Sequence, residues 1–123
     1  MYTFSFEKLE VWIDAKEFTK MIYFYTNNFP DSEKFALSSQ LRRASVSVCS
    51  NLAEGTSRAT YKDKAHFTTM AFSSAVEVLN QLIISYELGF LNEQAYQDLK
   101  FKLESITNKL NALKKYQLGQ TNK

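Results

Sequence analysis

The sequence predicts an all-α domain, an up-down-up-down four-helix bundle, and three observations point to it. The 123 residues include only three Gly and one Pro. Sandwiches and barrels need turn residues about every ten positions, whereas a few long helices need hardly any. Apolar residues make up 45% of the chain, enough to bury a real core. Apolar positions also recur at spacings of three and four in four separate stretches, which is the period of a helix with one buried face. Length and composition argue for a single domain over residues 1–123.

The first helix is expected over about 7–28. Val11, Ala15, Phe18, Ile22, Tyr25 and Phe29 form its seam, and Leu9, Trp12, Met21 and Tyr23 widen the apolar face. Pro30 ends it, because the residue before a proline is pushed out of the helical region. Asp31 to Phe35 reads as a single turn. Ser38 is the expected N-cap of the second helix, over about 38–57, whose core positions are Leu41, Ala44, Val48 and Leu52. Its end, AEGTSRAT, places Gly55 in a left-handed C-terminal conformation with Arg58 near the last carbonyls.

Thr60 opens the third helix, over about 61–88, and TYKD is a capping-box variant with Asp63 in the place of the usual Glu. Phe67, Met70, Ala71, Phe72, Ala75, Val78, Leu79, Leu82, Ile83 and Tyr86 cover more than one stripe. An arc so wide belongs to a helix that is central to the fold or shared with another subunit. Gly89 follows at the position after the cap. Asn92 caps the fourth helix, over about 92–116, with Tyr96, Leu99, Leu103, Ile106, Leu110 and Leu113 as a heptad seam and a polar, frayed tail QLGQTNK.

The second helix carries an ordered polar line: Gln40, Arg43, Ser47, Asn51 and Glu54. In an antiparallel hairpin turning near residues 57–60, facing residues have numbers summing to about 118–121. Arg43 then lies level with Glu77, Ser47 with Ser73 or Ser74, Glu54 with His66, and Gln40 with Asn80 or Gln81. Both lines face water, or they form a hydrogen-bonded seam within one chain or between subunits. The small residues Ser47, Ser73 and Ser74 favour the seam, since they let backbones approach. Buried polar groups cost about 1–3 kcal/mol each when unpaired, so a seam would specify one register.

The formal net charge is +2 and the pI about 8.6, which neither requires nor excludes a nucleic-acid partner. Cys49 stands alone, so no internal disulfide forms, and a reducing cytoplasm is the expected location. The start MYTFSFEKLEVW lacks a basic segment followed by a long apolar run, so no signal peptide is expected, and no stretch is expected to span a membrane. A di-metal bundle site needs paired Glu-x-x-His motifs, and the single His66 excludes that. No phosphate-binding glycine loop appears. Cys49 falls beside core positions and away from His66, which reads as an inert buried thiol. The expectation is therefore no catalytic residue, metal, cofactor or small-molecule substrate. Arg58, Lys62 and Lys64 cluster near the second turn around Tyr61, and Arg42 sits beside the polar line. These are the candidate phosphate- and base-contacting residues, set against the simpler reading of a solvated turn.

Several blocks resemble the bacterial 23S rRNA intervening-sequence family: LEVW at 9–12, NFPDSE at 28–33, LSSQLRRASVSVCSNLAEG at 37–55, and Ala71, Ser74, Ala75 and Glu77. The third block follows the family pattern Q-x-x-R-A-x-x-S-x-x-x-N-x-x-E-G. Cys49 departs from it where many members have proline, and Ser73 where glycine is usual. The resemblance implies a left-handed bundle that assembles as a homopentamer. It brings Gln40, Arg43, Ser47, Asn51, Glu54, Ser74 and Glu77 together as the family's polar residues. A related member, the accessory protein of diversity-generating retroelements, binds nucleic acid and a reverse transcriptase. The resemblance carries no established catalytic activity. The leading expectation is a non-enzymatic homo-oligomer that binds RNA or a nucleoprotein partner. The alternative is a purely structural or protein-interaction module.

Overall fold

The computed structural model describes residues 1–120. Four helices run α1 Glu10–Thr26, α2 Leu37–Thr56, α3 Tyr61–Glu87 and α4 Glu93–Gln120. Each packs on its neighbours in the cyclic order α1, α2, α3, α4 and back to α1, and the backbones of diagonal pairs stay more than 8 Å apart, Cα to Cα. With short connections between them, this is an up-down-up-down four-helix bundle.

The expected seams supply the core. Phe18, Ile22, Leu41, Val78, Leu82, Leu99, Ile106 and Leu110 are almost wholly buried. Each such side chain contributes about 1.5–3 kcal/mol relative to exposure. The α2–α3 pair is the most extensive contact, because Ala44, Ala71 and Ala75 at its centre let the axes approach. On α1 the seam runs through Thr26 rather than Tyr25, which is half-buried. Thr26 tolerates burial because its hydroxyl donates to the Ile22 carbonyl at 2.7 Å.

Three of the expected end signals act as read. Thr60 Oγ1 accepts the Asp63 N–H at 3.1 Å, and Asn92 Oδ1 accepts the Ala95 N–H at 2.8 Å. Gly89 adopts φ +82°, with its N–H donating to Tyr86 O and the Phe90 N–H to Ser85 O. That paired pattern closes α3 and depends on the left-handed residue between.

Other ends differ from expectation. A 3-10 turn, Ser5–Lys8, precedes α1, and Leu9 is extended, so the helix starts at Glu10 rather than near 7. α2 starts before Ser38, which is buried in its first turn; no side chain caps it from Ala36, and Glu33 Oε1 lies 3.4 Å from the Leu37 N–H instead. Gly55 is not left-handed but helical and buried. A Cβ there would stand 3.0 Å from the Phe67 Cβ, so this glycine serves close approach of α2 and α3. Arg58 lies over the Phe67 ring at 4.8 Å, and it is Lys64 Nζ that reaches the α2 end, donating to Thr56 O at 3.0 Å. α4 continues past Tyr116 to Gln120, so most of the expected frayed tail is helix, and residues 121–123 lie outside the described residues. Finally, α3 is long and apolar enough to cross a membrane by length and composition, contrary to expectation. Ala71, Ala75, Val78 and Leu82 are buried in the bundle core, and the exposed Met70, Val76, Ile83 and Ile84 add to the apolar content of α3.

Candidate functional site

The polar line on α2 meets its counterpart on α3 in the expected register. Arg43 donates to Glu77 Oε2 at 2.7 Å and to Gln40 Oε1 at 2.8 Å. Gln81 Nε2 lies 3.4 Å from the same Glu77 oxygen. The Ser47 and Ser74 hydroxyls are 2.9 Å apart, and Asn51 Nδ2 donates to Ser47 O at 2.9 Å. Ser47, Asn51 and Ser74 are half-buried, whereas Arg43 and Glu77 retain 59% and 39% side-chain exposure. Within one chain the seam is thus a rim at the outer edge of the α2–α3 contact.

Two expected partnerships do not form. Gln40 bonds to Arg43 on its own helix rather than across to Asn80 or Gln81. Glu54 and His66 are both exposed, and no hydrogen bond or ion pair joins them among the described residues. At that level Gly55 and Phe67 occupy the contact line. Their neighbours Glu54 and His66 are rotated about 100° away along each helix. Gln81, which the spacing offered only as a partner for Gln40, holds a buried Oε1 without a partner among the described residues.

The basic candidates separate into two places. Arg42 is committed to the end of α1: its Nε donates to Thr26 Oγ1 at 2.9 Å, one NH2 hydrogen reaches Asn27 Oδ1 at 3.0 Å, and the guanidinium lies 4.7 Å from the Tyr23 ring centre. Arg58, Tyr61, Lys62 and Lys64 lie at the opposite end, about 24 Å away at 1.5 Å per helical residue. Arg58 and Lys62 are exposed and without a carboxylate partner among the described residues. Tyr61 is hydrogen-bonded to Tyr116, which raises its phenol above the ordinary range, and the two rings meet edge to face at 6.2 Å.

A sequence-family profile described as 23S rRNA-intervening sequence protein matches residues 7–112. The chain belongs to this family. It therefore shares membership with proteins named for rRNA-gene insertions, and the family match spans all four helices. Among solved structures, the chain is similar to a protein of unknown function from the S23 ribosomal protein family of Bacteroides thetaiotaomicron. That likeness has a TM-score of 0.77 at 20% identity, covering 85% of this chain and 98% of that one. It supports the bundle architecture. No curated protein matches the sequence.

Cys49, the chain's one thiol, is not activated. Burial pushes its pKa up, only partly offset by the Thr19 hydroxyl 3.5 Å away. Beside the Arg42 contacts, further polar links between helices escaped the sequence reading. Lys109 bridges Glu10 at 2.8 Å and also Asp14, tying α4 to α1. Thr68 Oγ1 lies 2.7 Å from Gln117 Oε1 in the α3–α4 contact. Spacing along one helix signals neither, because each partner sits on an element distant in sequence.

Proposed function

We propose that this chain is a non-enzymatic, cytoplasmic module that assembles with copies of itself, as a pentamer, and binds RNA or a nucleoprotein partner. The observation that carries the binding half is the end of the bundle around the α2–α3 turn, where exposed Arg58 and Lys62 flank the exposed Tyr61. Cations there are available to phosphates and the phenol ring to a base. The rRNA-linked family name and the ribosomal-family description of the structural neighbour support the same reading. Assembly is supported by apolar side chains on the outside of α3: Val76 and Ile83 one heptad apart, and Met70 and Ile84 in register with Glu77. A ring needs two different complementary faces, and α3 presents an apolar edge on either side of its exposed arc. Repeating a weak basic patch around such a ring multiplies its affinity.

The test is a titration of the parent protein with structured RNA over a range of salt, beside Arg58→Glu/Lys62→Glu. Lys64 is left intact because it caps α2. Each lost phosphate contact should flatten the log–log salt slope by about 0.7–0.9. Unchanged affinity and slope would reject the patch. No binding by the parent, with assembly retained, would favour the alternative, a protein-interaction module. Light scattering that returned only the 14.2 kDa monomer would reject assembly.

A further inference from the structure

A cleft of ≈ 350 Å³ opens at the end of the bundle where α1 and α3 begin and α2 and α4 finish. That is at the small end of the about 300–1,000 Å³ range of ligand pockets. Leu9, Leu52 and Leu113 give it apolar walls, while Lys8 and Lys64 stand among its lining residues. None of the lining residues is an aspartate or glutamate. Lys8, on the exposed turn before α1, has no partner among the described residues. Lys64 spends one of its three hydrogens on Thr56 O and keeps two.

The deeper wall holds an independent signal. Gln117 is only 8% exposed, and its Oε1 is the atom that faces Thr68. Its Nε2 donates to nothing among the described residues. The open space that Gln117 lines is this cleft. A nine-tenths buried carboxamide thus offers unused hydrogens to whatever occupies it. Every uncommitted group here that is charged or buried is a donor, and leucine side chains and the rings of Tyr61 and Tyr116 make up the walls between them.

We propose that this cleft binds a small organic monocarboxylate, with its apolar body between Leu9, Leu52 and Leu113 and its carboxylate accepting from the Lys8, Lys64 and Gln117 donors. Charge complementarity selects the anion. With no carboxylate in the lining, nothing there offsets the repulsion of Lys8 and Lys64 toward a cationic ligand. The cleft borders the proposed RNA patch, since Tyr61 lines it, but Lys8, Gln117 and the three leucines take no part in that reading.

The experiment titrates the full chain with phenylacetate, its neutral isostere phenylacetamide, the cation phenethylamine and inorganic phosphate, followed by calorimetry and by leucine methyl resonances. Phenylacetate should shift the Leu9, Leu52 and Leu113 methyls at millimolar concentration or below. The amine and free phosphate should not. Lys8→Glu should weaken phenylacetate about tenfold, and Leu113→Trp, which fills the cleft, should abolish binding. Lys8→Glu sits on an exposed turn and carries the test alone if the tryptophan disturbs folding. No shift with phenylacetate overturns the proposal. So do equal binding of the amine, equal binding of phosphate, or unaltered binding by Lys8→Glu.

Discussion

Replacing Gly55 by alanine tests whether close approach, rather than turn conformation, explains this glycine. By helix propensity alone the change should help by about 0.5–1 kcal/mol, since Gly55 is helical and alanine is the better helix former. The added Cβ, however, would stand 3.0 Å from the Phe67 Cβ and 3.6 Å from the Lys64 carbonyl. The Lys64 approach is an ordinary contact, but the Phe67 Cβ is not the tip of a flexible side chain, so α3 itself must give by a few tenths of an ångström. Overpacking of this kind costs about 1–3 kcal/mol. The net expectation is a loss of about 0–2.5 kcal/mol, centred near 1, or about 4 °C in Tm for a domain of this size. Gly119→Ala is the control, because its Cβ would meet nothing within 4 Å and only the propensity gain remains. Because the conflict is with a Cβ, Phe67→Ala should not rescue Gly55→Ala. Thermal melts by circular dichroism at one matched protein concentration measure all three variants. A Gly55→Ala chain that gains stability as Gly119→Ala does would refute the packing argument.

Arg43→Ala should cost the isolated chain no more than about 0–1 kcal/mol, because its pair with Glu77 is largely solvated. Denaturant melts at two concentrations check this: a penalty that appears only where the protein is associated would locate the pair in a subunit contact. The Lys109 tether should make stability fall at alkaline pH. Asp14 and then Glu10 raise the lysine pKa in the folded chain. Its contribution is thus fully present below the unfolded value of about 10.4 and is lost as pH rises through the folded one. The difference in denaturant midpoint between parent and Lys109→Met should be constant near neutrality and shrink in that alkaline window; a gap that persisted unchanged beyond it would disprove the charge-based tether.

Much of the bundle was legible because its signals are local. Thr60 with Asp63, Asn92 and Gly89 each act within a few residues of their own helix end, where capping chemistry is decided. The Arg43–Glu77 and Ser47–Ser74 meetings followed from turn position alone, since a short hairpin fixes its register. What remained hidden depends on rotation about the helix axis and on partners far along the chain. A glycine near a helix end signals a left-handed cap or a close approach equally well, and only the position of Phe67 decides for Gly55. Gln117 looks like part of a polar tail until Thr68, 49 residues earlier, supplies the hydroxyl that lets it be buried. Arg42 looks like a surface cation until Thr26 and Asn27 claim its guanidinium. The cleft itself gathers residues from the segment before α1, the ends of α2 and α4 and the first part of α3, a convergence no single stretch announces.

The turn before α1 has an optical consequence. Phe6, within Ser5–Lys8, meets the indole of Trp12 edge-on at 5.0 Å, and Phe4 stacks on Phe6 at 6.2 Å. The Lys16 ammonium lies 5.3 Å from the indole ring centre. Trp12 is the chain's single tryptophan, so its ultraviolet-excited emission has one source. That fluorophore rests against the same short turn whose Ser5 and Lys8 line the cleft. The native sequence therefore carries its own unlabelled spectroscopic probe of whether that turn is docked or displaced.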